Sequence, residues 1–181
     1  MTEQFTMAIT GDAIINRRIS VSRDEGFLSV VKVIRDADCG YTHLETLIHD
    51  YDGPEIYPAA KAGWTCMRSP RFVAEELKWT GFDIVSHASN YSLDYSYGGL
   101  YSTWQALNEA GLPYAGTGKN LGQARAPAYL ETPKGRVALI SRMSSFGQTI
   151  SPAGPDEFAK QIREDFKRWG KVVKASGAKV D

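Results

Sequence analysis

The chain has 181 residues, 43% apolar and 23% charged, enough to build a globular core without a staple. Lys plus Arg equal Asp plus Glu at 21 each, which argues against a basic nucleic-acid surface and against an acidic tail. No apolar run nears the ~20 residues of a membrane helix. No basic-then-apolar leader opens the chain, so the expected location is the cytoplasm.

Residues 5–10 (FTMAIT) form a short β-prone run that ends at Gly11-Asp12, which reads as a strand leading into a loop with an acid at its edge. Residues 26–34 place Phe27, Val30, Val31 and Ile34 at helical spacing. Residues 41–47 alternate Tyr41, His43 and Glu45 against Thr42, Leu44 and Thr46, a strand pattern. A long loop rich in Asp, Gly, Pro and Tyr follows over residues 50–63.

Ser69-Pro70 then opens a helix, with serine as cap and Glu75 and Glu76 in its early turns. Residues 82–88 (FDIVSHA) read as a buried strand. Residues 98–110 form a helix with Leu100, Trp104 and Leu107 on one face, ended by Gly111. A short strand starts at Pro113, and Thr132-Pro133-Lys134-Gly135 joins two runs, 128–131 and 136–141, into a hairpin. Strands alternating with helices predict an α/β layered fold. Residues 147–154 read as a linker, and residues 155–175 as an amphipathic helix with Phe158, Ile162, Phe166, Trp169 and Val173 in its apolar stripe.

Three polar clusters fall at predicted strand ends: Gly11-Asp12, His43-Leu44-Glu45, and Ser89-Asn90-Tyr91 with Asp94. Ligands of open α/β sheets gather outside the carboxyl ends of strands. Carboxylates and an amide meeting there would offer hard oxygen donors suited to Mg²⁺ or Mn²⁺. Each residue also has a plain reading: Gly-Asp as a turn, Glu45 as a solvated strand residue, Asn90 as loop chemistry. His43, His49 and His87 share no metal-ligand spacing and are not expected as ligands. Gly116-Thr117-Gly118-Lys119-Asn120 lacks the spacing of a nucleotide-binding phosphate loop. The run of Tyr91, Tyr95, Tyr97 and Tyr101 reads as packing rather than base stacking. The cysteines, Cys39 and Cys66, lie in unrelated contexts and read as free thiols.

Taken in order, these pieces resemble the bacterial CapA-type poly-γ-glutamate capsule-synthesis family, which is metallophosphatase-like. Its opening strand and Gly-Asp correspond to Gly11-Asp12, and its Asn-Leu-Glu to His43-Leu44-Glu45. Its Ala-Asn-Asn-His-x-x-Asp-x-Gly corresponds to the stretch from Ala88 through Asn90, Tyr91 and Asp94 to Ser96. Gly98-Gly99-Leu100, Gly116 to Asn120, Ala126-Pro127-Ala128 and Gly135 to Ser141 continue the match over residues 5–146.

The resemblance implies a truncated metallophosphatase-like layered sheet with flanking helices. It implies a divalent metal (Mn, Mg or Zn) on Asp12, Glu45 and Asn90, with Asp94 supporting the loop that carries Asn90 and Tyr91 at the position of the catalytic histidine. The substrate class would be phosphoryl or γ-glutamyl compounds, with an anionic polymer or small molecule as partner. Relatives of this family are often associated with the cell envelope. A phenol shuttles protons less well than an imidazole at neutral pH, and the family's later histidine motifs are not found beyond residue 146. A catalytically inactive domain that binds a polymer or partner is therefore the alternative. An apolar sheet face left bare by truncation would favour self-association. The last ~30 residues resemble the C-terminal helix of tripartite tricarboxylate transporter receptors, which leaves carboxylate binding as a minor third reading.

Overall fold

The computed structural model of the protein describes residues 4–59, 65–143 and the single helical residue Lys167. The chain divides into two compact units, Met1–Met143 and Ser144–Asp181. The predicted linker 147–154 and, apart from Lys167, the predicted helix 155–175 lie outside the described residues.

The first unit is α/β. Its elements run β1 (Met7–Ala13), α1 (Glu25–Asp36), β2 (Cys39–Leu44), β3 (Leu47–Ile48), β4 (Arg68–Ser69), α2 (Val73–Thr80), β5 (Ile84–Ser86), α3 (Ser96–Glu109), β6 (Tyr114–Ala115), α4 (Leu121–Ala124), β7 (Ala128–Thr132) and β8 (Gly135–Leu139). The main sheet is parallel, in the order β1-β2-β5-β6. Short β3 and β4 pair in parallel, and β7 and β8 form the predicted antiparallel hairpin.

Strand order advances in one direction without reversal, so right-handed crossovers carry the helices to one face. Packing agrees with this: Ile34 of α1, Leu77 of α2 and Leu107 of α3 join Ala13, Leu44 and Val85 of the strands in one buried cluster. Burying a leucine such as Leu44, Leu77 or Leu107 is worth about 2 kcal/mol. The alternation along β2 follows: Thr42 and Leu44 are buried toward the helices, while Tyr41, His43 and then Glu45 are half-buried on the other face.

Helix α1 begins where Asp24 caps it, its side chain accepting from Phe27 N at 2.6 Å. Val31 and Ile34 face the core, but Val30, expected there, is 57% exposed. Helix α2 begins at Val73, later than expected. Ser69 does not cap it. It lies in β4, buried, bonded to Thr46 Oγ1 at 2.8 Å and donating to the Ile15 carbonyl. Helix α3 carries the predicted apolar face, and Gly111 beyond its end has φ +66°, as a left-handed stop requires. No helix among the described residues is long and apolar enough to cross a membrane.

Candidate metal centre

The strands of the main sheet end along one rim, and the predicted polar clusters lie there. The Gly11-Asp12 pair belongs to β1 itself rather than to a loop after it. Register between β1 and β2 runs Met7 to Cys39, Ala8 to Gly40 and Ile9 to Tyr41, then slips, so that Asp12 pairs with His43 and Ala13 with Leu44. One extra residue on β1 is a bulge. Thr42 Oγ1 donates to the Gly11 carbonyl at 2.9 Å and holds it.

The consequence is a change of face. Paired residues in adjacent strands share a face, and faces alternate along each strand. Without the slip Asp12 would lie opposite Leu44, on the buried side. With it, Asp12 shares the face of His43, and Glu45 lies two residues further along the chain. One ligand atom each of Asp12, His43 and Glu45 lies within 4.8 Å of the others, with Asp12 exposed and the other two half-buried. Burial pushes the Glu45 carboxyl up, and a hydrogen bond to Asp12 and its like charge add to the rise.

His43 is held from behind. Its Nδ1 is 2.7 Å from Ser86 Oγ, and Ser86 Oγ is 2.8 Å from Tyr41 Oη. His43 and Ser86 are register partners on β2 and β5. Directly after β5, His87 is fully buried, with Nδ1 3.1 Å from Thr117 Oγ1, and Thr117 Oγ1 accepts from Trp104 Nε1 at 2.9 Å. Burial and the nearby His43 lower the His87 pKa to about 4, with the Thr46 backbone opposing them.

The third predicted cluster follows β5 as a turn. Asn90 is exposed there and Tyr91 half-buried, its N–H donating to Ser89 Oγ at 3.1 Å. Asp94 is buried and accepts from Met67 N at 2.7 Å, while its carbonyl accepts from Ala59 N. That ties the turn to the segment before β4. Asp94 is not in the group formed by Asp12, His43 and Glu45.

Two carboxylates and an imidazole fit a divalent cation. Burial does most to raise the Glu45 carboxyl, and the smaller contribution from the like charge of Asp12 is a repulsion a cation would relieve; the imidazole suits Zn²⁺ and the carboxylates suit Mn²⁺. Spacing along the chain gave no sign of His43 as a donor, because its partner Asp12 sits on another strand. The i, i+2 alternation of His43 and Glu45 was the signal that could have found it.

The sequence matches the family described as "Bacterial capsule synthesis protein PGA_cap" over residues 6–175. It is also 36% identical over 157 residues to "Uncharacterized protein y4sH" of Sinorhizobium fredii (strain NBRC 101917 / NGR234), and equally to "Uncharacterized protein y4uA" of the same strain. Each alignment covers 85% of this chain and 34% of the relative, so the chain spans about a third of the length of these proteins.

Proposed function

Because this chain belongs to the bacterial capsule synthesis protein family, we propose that Asp12, His43 and Glu45 form a divalent-cation site that serves hydrolysis or transfer on a phosphoryl or γ-glutamyl substrate in capsule biosynthesis. One observation carries this reading: the β1 bulge turns Asp12 onto the face of His43, beside Glu45, where three donors converge within 4.8 Å.

Asp12, His43 and Glu45 would hold the cation, with Asn90 as a further oxygen donor from the turn after β5. A bound Mn²⁺ or Zn²⁺ supplies Lewis acidity toward a phosphoryl or acyl oxygen. Glu45 would share its negative charge with Asp12, and Ser86 would hold the His43 ring in place. Tyr91 would stand beside the substrate as a hydrogen-bond donor, in the position where the resemblance expects histidine.

Turnover of a phosphodiester and of a γ-glutamyl peptide with added Mn²⁺, measured beside Asp12→Ala, tests the reading. Activity lost in the variant supports it, and equal rates in both proteins remove it. A second reading, binding of an anionic polymer without turnover, is favoured by Tyr91 in place of the imidazole. Cation-dependent retention of poly-γ-glutamate with no product formed would select that second reading.

A further inference from the structure

The geometry points to Ser86 as the positioning residue that decides which nitrogen of His43 meets the cation, a role that rests on the cation site proposed above. A neutral imidazole carries one N–H and one lone pair. A metal takes the lone pair, so the other nitrogen must hold the proton and needs an acceptor. Ser86 Oγ, 2.7 Å from His43 Nδ1, is placed to be that acceptor. With Nδ1–H donating to Ser86, Nε2 is the nitrogen left for the cation.

Three features make Ser86 more than an incidental neighbour. It is 3% exposed on a strand whose other residues, Ile84 and Val85, are fully buried, where a hydroxyl is costly unless bonded. Register sets it opposite His43, so backbone pairing fixes the contact. Tyr41, two residues before His43 on the same face, brings its phenol oxygen to 2.8 Å from Ser86 Oγ. Tyr41 Oη can take the Ser86 proton, which leaves Ser86 Oγ a pure acceptor toward His43. Water has little access to replace it at so buried a position.

The test uses the full chain, Ser86→Ala and Ser86→Thr. Calorimetry with Mn²⁺ and Zn²⁺ measures affinity, and long-range ¹H–¹⁵N spectra with diamagnetic Zn²⁺ read which His43 nitrogen is protonated. The expected result is Zn²⁺ on Nε2 with Nδ1 protonated. A tenfold to hundredfold loss of affinity is expected in Ser86→Ala, the usual range for a group behind a ligating histidine, and Ser86→Thr restores it. Should Ser86→Ala fail to fold, the nitrogen assignment in the native chain and in Ser86→Thr still decides. Tight binding by the native chain with Zn²⁺ on Nδ1, or with Ser86→Ala unchanged, overturns the role of Ser86 and leaves the cation site standing. Failure of the native chain to bind either metal overturns both.

Discussion

Asp12 pairs with His43 across β1 and β2, although Ile9, three residues before Asp12, pairs with Tyr41, only two before His43. That single unmatched residue decides which face Asp12 occupies. Ala13 pairs with Leu44, and both are buried on the helix side, which fixes the parity of the two faces. The candidate centre thus depends on a backbone irregularity as well as on its three side chains.

Deleting Gly11 should remove the unmatched residue of β1 and leave Asp12 opposite His43 in regular register, on the same face. The expected outcome is a cation affinity close to that of the native chain and well above that of Asp12→Ala, read by calorimetry. Gly11→Ala keeps the bulge, meets nothing within 4 Å of its new methyl, and should leave both affinity and stability nearly unchanged. An affinity in the deletion variant as low as in Asp12→Ala would contradict this register.

Glu76 anchors the loop that follows Asp12. Its buried carboxylate accepts from Ile19 N at 2.9 Å, Ser20 N at 2.7 Å, Ser20 Oγ at 3.0 Å and Arg18 at 3.3 Å. Burial alone raises this carboxyl, but the donors from Ser20, Ile19 and Arg18 outweigh it and hold it below the ordinary value. A depressed carboxylate stabilises the fold above its unfolded pKa and loses that contribution as pH falls through the folded one. Glu76→Gln should therefore cost about 1–3 kcal/mol at neutral pH. The difference from the native chain should shrink in acid, as denaturant melts at stepped pH will read.

His49 is likewise held without its proton, but in its case the favoured form is the neutral one. It is fully buried between the rings of Tyr51 and Tyr95, at 4.9 and 4.4 Å between centroids. Burial and the Arg68 charge lower its pKa from 6.5 to about 4, against the pull of Asp52 and Asp50. Between those values the unfolded chain binds the proton and the native one does not, so stability falls as pH drops through that window. The full effect is about 3 kcal/mol. His49→Phe keeps the ring and removes the titration, and its stability should vary less between pH 6.5 and 4. Parallel curves for the two proteins would contradict this.

Gly40 lets β2 approach the turn after α2. A Cβ built there would lie 2.2 Å from the Gly81 carbonyl oxygen, which is backbone and cannot rotate away. Gly40→Ala should cost about 1–3 kcal/mol through overpacking, visible as a lowered melting temperature.

Much of the layered fold can be read from periodicity. Helices α1 and α3, the β2 alternation and the β7–β8 hairpin were each expected from side-chain spacing or turn residues. Two-residue strands such as β3 and β4 are too short to show alternation, which is why Ser69 looked like a helix cap. The bulge was illegible for a related reason: residues 5–10 and Gly11-Asp12 have the composition of a strand followed by a turn, and only pairing with β2 reveals the slip. Of the donors the resemblance implied, Asp12, Glu45 and Asn90, the carboxylates of Asp12 and Glu45 come within 4.8 Å of each other, while Asn90 is exposed in the turn after β5. His43 was passed over because its partner Asp12 comes from another strand, and Ser86 because its contact with His43 exists only across the sheet.

Calorimetric titration of Mn²⁺ into the full chain and into Asp12→Ala, His43→Ala and Glu45→Ala tests the central claim most directly. The predicted result is one saturable site in the native chain, weakened at least about tenfold by each substitution. No saturable binding by the native chain, or an affinity indifferent to all three substitutions, would contradict it.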